Sequence, residues 1–165
     1  SVHGQNCSSA LAVLGRIRHV PDMNPKRLVV ALIAVFVGVF ATDFLIHGVW
    51  LQNTYKETAS LWRSETEMQA HMGWLMLGQL LTAATFVVLW AKGFAATGCI
   101  RCACLYGLFM GLFSQATTLI TYAVQPLPAG IAVKWFLAGL VQGVLLGVLV
   151  FLVYKPKSEE AKAQA

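Results

Sequence analysis

Charge is scarce in this chain. Of its 165 residues 12% are charged, and only seven are Asp or Glu, against twelve Lys or Arg. Soluble domains carry about 25% charged residues, so a soluble globular domain is excluded. A hydrophobic content of 58% excludes disorder. Cysteine is sparse as well. The four are Cys7 near the N-terminus and Cys99, Cys102 and Cys104 within one short run, a distribution that argues against a disulfide framework. A phosphate-binding glycine loop, a GxSxG elbow, an HExxH helix and a dinucleotide fingerprint are all missing, as is any nucleic-acid motif. ATPases, serine hydrolases of that type and DNA binders are therefore disfavoured.

What remains is apolar, with a mean hydropathy of +0.67. A membrane span needs about 20 mostly apolar residues. Four stretches qualify, over residues 28–51, 72–90, 105–124 and 131–154. They fill most of the chain and leave no room for a separate soluble domain. The expected architecture is all-α, a four-transmembrane-helix bundle built as two tandem helical hairpins. Gly38-Val-Phe in the first hairpin resembles Gly111-Leu-Phe in the second, and the runs beginning at Trp74 and Trp135 are also alike.

Residues 1–22 lack a hydrophobic pattern and are expected to be a flexible or non-native tail ahead of Met23, a natural start. Residues 23–154 form the membrane domain, and residues 155–165 a charged tail. Sidedness follows from Lys and Arg, which concentrate in cytoplasmic segments. Arg16, Arg18, Lys26, Arg27, Lys92, Arg101, Lys155, Lys157 and Lys162 fall on one side, and only Lys56, Arg63 and Lys134 on the other. Both termini are thus expected in the cytoplasm. The net charge of +5 reads as this sidedness signal, not as a nucleic-acid surface. Trp50, Trp62, Trp74 and Trp135 mark the outer boundary and Trp90 the inner one, as an aromatic belt. The outer loop over residues 52–71 is read as a short interfacial helix or as an extension of the second span.

The sharpest chemical feature is Asp43 with His47. On an α-helix their spacing puts both on one face. A carboxylate in hydrocarbon is costly and should point into the bundle or a watery cavity. His71 opens the second span, Glu67 precedes it by four residues, and Gln79 lies deeper on the same helix. Imidazole and carboxylate suit zinc, copper or iron. Asp43, His47, His71 and Glu67 are therefore candidate metal ligands near the outer face. The competing readings are a proton or solute pathway and simple structural pairing, with polar side chains as glue between helices. Cys99, Cys102 and Cys104 lack a fourth ligand for structural zinc. They read as packing residues, or as thiols activated by Arg101 and Lys92. Gly107 and Gly111, and Gly139, Gly143 and Gly147, make small-residue faces suited to close helix contact.

The run Asp-Phe-Leu-Ile-His-Gly-Val-Trp-Leu from Asp43 to Leu51, followed by Tyr55, Thr58, Leu61, Trp62, Arg63, Glu67 and Met68, resembles small bacterial four-span membrane proteins without an assigned activity. The resemblance implies a four-helix integral membrane protein of the bacterial inner membrane and carries over no activity. A fainter likeness is to the metal-binding C subunit of particulate methane and ammonia monooxygenases, where an Asp-x3-His on a span precedes another His. Asp43, His47 and His71 match in type and order, with a longer gap and fewer spans. The functional expectation is a non-enzymatic binding or accessory subunit with a metal site near the outer face. A small proton, cation or solute transporter and a metal-dependent membrane oxidoreductase subunit are the alternatives. The expected partners are the lipid bilayer and a second copy or a larger membrane complex.

Overall fold

A computed structural model describes residues 23–154. The readings of residues 1–22 and 155–165, including Cys7 and the basic residues there, lie outside the described residues. The fold is all-helical, with four helices long and apolar enough to cross a membrane: Pro25–Trp50, Met72–Gly93, Ile100–Val124 and Ala129–Val153.

The first span starts where local chemistry dictates. Asn24 caps α1 (Pro25–Asp43) by accepting from the Arg27 N–H at 3.2 Å, and Pro25 occupies the first turn, where a missing N–H costs nothing. After Asp43 the same rod continues as a π-helical segment, Phe44–Trp50. The following loop holds α2 (Gln52–Glu57), a 3₁₀ turn (Ala59–Leu61) and α3 (Glu65–Ala70). A capping box starts α3, with Ser64 and Glu67 exchanging hydrogen bonds. The loop is thus two short helices, and His71 separates α3 from α4 (Met72–Gly93). The remaining spans are α5 (Ile100–Val124) and α6 (Ala129–Val153). The third span starts five residues before the expected 105, because the cysteine run belongs to the helix. Pro128 caps α6 after the tight Gln125-Pro-Leu turn.

The two hairpins form as expected, but they pack differently. The tightest pairing in the bundle is α5 against α6, and α1 bridges the hairpins by packing on both α4 and α6. Lipid tails are as apolar as leucine, so packing and hydrogen bonds must hold helices together. Glycine supplies the packing here. A Cβ on Gly107 would run into the Gly143 carbonyl, and one on Gly147 into the Ala103 carbonyl. Between α4 and α5 contact is made at the end of the bundle that carries Met23 and Tyr154, here the termini end. There Phe86, Trp90, Phe94, Tyr106 and Phe151 interlock through ring contacts, and the Tyr106 hydroxyl donates to the Phe86 carbonyl. Trp90 is 1% exposed, so it is a core residue and not a belt residue. Trp50 and Trp74 do stand outward at the opposite, loop end.

Candidate functional site

At the loop end the bundle is polar. Asp43 is the last α-helical residue of the first span, and it is half-buried. Its two carboxylate oxygens are each taken by an amide from a different helix. Gln79 of α4 donates to Oδ2 at 2.8 Å, and Gln142 of α6 donates to Oδ1 at 2.7 Å. The Gln142 amide also donates to the Thr42 hydroxyl at 2.7 Å, which in turn donates to the Gly38 carbonyl. One carboxylate thereby ties three spans together. Both its partners are neutral. Gln79 is buried, and its side-chain oxygen Oε1 finds no hydrogen-bond donor. A buried acceptor left in this state costs about 1–3 kcal/mol.

His47 has different partners, although it stands four residues from Asp43. It sits within the π-helical segment, whose wider turn shifts the phase of the helix face. Its Nδ1 lies 2.6 Å from the Tyr55 hydroxyl. The Trp135 indole N–H donates to that same hydroxyl at 2.7 Å. The consistent assignment is a chain in which Trp135 donates to Tyr55 and Tyr55 donates to Nδ1, leaving the His47 proton on Nε2. Trp62 packs against both Tyr55 and Trp135 and donates to the Thr58 hydroxyl at 2.9 Å. Burial pushes the Tyr55 hydroxyl above the ordinary tyrosine range, partly offset by the Trp135 hydrogen bond. Lys134 donates to the Thr54 hydroxyl at 3.2 Å, tying α6 to α2. Trp62 and Trp135, expected in the belt, are instead half-buried members of this cluster.

Between the first span, α5 and α6 lies a cavity of about 260 Å³, with His47, Gln115, Thr118, Trp135, Gly139 and Gln142 among its walls. Thr118 donates to the Gln115 side-chain oxygen at 2.7 Å. Gln115 reaches across to α6, where its side chain occupies the space a Cβ on Gly139 would need. Gln142 faces both ways, lining the cavity and holding Asp43.

The other two candidate ligands have separate roles. His71 Nδ1 donates to the Glu67 backbone carbonyl at 2.7 Å, and Nε2 accepts from Arg63 at 3.2 Å. The Glu67 carboxylate is turned to Ser64, which holds it below the usual carboxylate range. Glu67 and His71 meet through backbone, not through the carboxylate. Among the described residues no group of three or more His, Cys, Asp or Glu is placed to hold a metal ion. Sequence reasoning noticed Gln79 deeper on the helix that His71 opens, but missed Tyr55, Trp135 and Gln142 as partners. The signal available for Gln142 was a polar side chain deep in an otherwise apolar span.

Fold and site together define a small polytopic membrane protein with a polar, amide-held carboxylate near one end of its bundle. Compared with protein families, curated proteins and solved structures, the chain has no match.

Proposed function

We propose that this protein is a non-enzymatic membrane binding protein whose loop-end site takes a small cation. The observation that carries this reading is Asp43. A carboxylate among spanning helices that is held only by neutral amides retains its charge demand, and the buried Gln79 oxygen beside it lacks a donor. A small cation answers both, coordinated by the oxygens or, if an ammonium, hydrogen-bonded to them. The adjacent cavity has room for several waters. Gln142 separates it from Asp43, so a swing of that amide opens the carboxylate to an occupant. The three-ligand transition-metal reading finds less support. His71 and Glu67 are committed to Arg63 and Ser64, and among the described residues no three such ligands are gathered around Asp43. Transport finds less support than binding, because the termini end is closed by the Trp90 and Tyr106 aromatic core.

The resemblance and the charge bias carry the setting. Lys26, Arg27, Lys92 and Arg101 stand at the termini end, so we infer that the loop end faces out of the cytoplasm, in a bacterial inner membrane. An accessory role within a larger complex or a homo-oligomer is compatible with the same site.

The test uses the full chain in lipid nanodiscs, titrated with sodium, potassium and methylammonium chloride against choline chloride. Trp62 and Trp135 at the site report through fluorescence. The expected result is a saturable change with one of the small cations, absent in Asp43→Asn. A folded wild type that gives no saturable response to any of the three overturns the reading. Cation flux into proteoliposomes that depends on Asp43 replaces binding with transport.

A further inference from the structure

At the termini end, the connection from α4 to α5 carries a second group of reactive side chains unrelated to the cation site. Gly98 turns the chain in the left-handed region, with φ of 59°. Cys99 follows as the N-cap of α5, with extended backbone at φ −118° and ψ 121°. Cys102 lies three residues on, in the first helical turn. An N-cap side chain folds back over the first-turn N–H groups, so the two sulfurs share the mouth of the helix. Both are half-exposed free thiols. The Cys99 thiol is held below the ordinary thiol range, chiefly by the Cys102 backbone N–H, then by the Cys102 thiol and the Arg101 N–H, with a smaller contribution from the Arg101 charge. It makes no well-formed capping hydrogen bond, so the pull is that of converging dipoles. Cys104 is also half-exposed, but it lies two residues beyond Cys102, about 200° around the helix, and so faces away.

We propose that Cys99 and Cys102 form a redox-active dithiol that closes to a disulfide across the first turn of α5 by exchange with a small-molecule disulfide. The Cys99 thiolate attacks one sulfur of the small disulfide. A new S–S bond forms, the old one breaks, and one small thiolate leaves. Cys102 gives up its proton to that departing thiolate and attacks the Cys99 sulfur, expelling the second small thiolate. Two protein thiols are oxidised to one disulfide, and one small disulfide is reduced to two thiols. The division of labour follows from position. Cys99 has the helix mouth and Arg101 to stabilise its thiolate, and Cys102 is the nearest thiol able to resolve the mixed disulfide.

The experiment uses the full chain in nanodiscs on a Cys7→Ser background, treated with oxidised glutathione and read by intact mass and peptide mapping. Expected is loss of two hydrogens with Cys99 and Cys102 linked, Cys104 still open to maleimide, and reversal by dithiothreitol. Cys102→Ser should stall as a stable glutathione adduct on Cys99. In the reduced protein near neutral pH, Cys99 should alkylate at least about threefold faster than Cys104. A wild type that keeps glutathione on Cys99 without closing, a Cys102–Cys104 or intermolecular link, or equal alkylation rates at Cys99 and Cys104 would each overturn the proposal.

Discussion

The two ends of this bundle are built by different physics. At the termini end, side chains interlock: Val35, Val87, Trp90 and Val150 are each at most 1% exposed, and the rings of Phe86 and Tyr106 meet edge to face. At the loop end a smaller cluster of Leu127, Ile131 and Ala132 packs with Tyr55, Trp62 and Trp135, and α4 is held by hydrogen bonds in place of packing. No residue of α4 before Gln79 is buried, and a Cβ on Gly73 or Gly78 would meet nothing within 4 Å. What binds α4 to α1 and α6 at this level is the Asp43 carboxylate shared between two amides. The packed end supplies rigidity, and the open end holds polar groups that a close-packed core would have no room to hydrate. A membrane protein can therefore carry an expensive carboxylate if another sector provides the helix contact.

The contrast can be broken most severely from the packed side. Gly107→Leu drives a side chain into the α6 backbone at Gly143. It should cost about 3 kcal/mol or more, read as loss of the folded fraction in a denaturant titration of the lipid-embedded protein. Asp43→Leu attacks the polar side. It strands the Gln79 amide, leaves Gln142 only the Thr42 hydroxyl as acceptor, and should cost about 2–4 kcal/mol, while Asp43→Asn, which keeps one acceptor, should recover part of that in the same assay. Tyr55→Phe removes the hub between His47 and Trp135 and should cost about 1–2 kcal/mol. Because burial raises the Tyr55 hydroxyl, the folded state holds its proton more tightly than the unfolded one. Its contribution is therefore full below about pH 10 and declines above it, a decline that the phenylalanine variant should lack. The smallest effect belongs to the loop. Ser64→Ala should cost about 0.5–1 kcal/mol of α3 stability. The lowered Glu67 carboxyl makes that contribution present at neutral pH and lost as pH falls through the carboxylate range. Hydrogen exchange across Glu65–Ala70 would register it.

Much of the architecture could be read from residue order, because a span is a length and a composition. The four helices fall within a few residues of their expected limits, and the small-residue faces of α5 and α6 meet as their spacing implied. The misread tryptophans and the unforeseen partners of Asp43 share one cause: burial by partners distant in sequence. Trp90 and Trp135 look like belt tryptophans until Tyr106 and Tyr55 are brought beside them. The likeness between the runs at Trp74 and Trp135 does not extend to environment either, since Trp74 is 73% exposed. At the site, Asp43 was conspicuous as the acid within a span. Its true partners were glutamines 36 and 99 residues away, which no local pattern links. The rule that set His47 on the face of Asp43 assumes α-helical turns.

Within the four described spans, that assumption fails in the seven residues Phe44–Trp50. A π-helical stretch winds more residues into each turn than the 3.6 of its flanks, so it stores roughly one surplus residue of chain without lengthening the rod in proportion. In an ordinary helix, deleting a residue turns everything downstream through about 100° and ruins its contacts. Here the deletion would instead let the coil relax to the α form, with Leu51 and Tyr55 kept near their present bearing. Tolerance to a one-residue loss along the membrane is thus concentrated between the carboxylate and Leu51. There the span can be shortened without re-aiming the loop over residues 52–71.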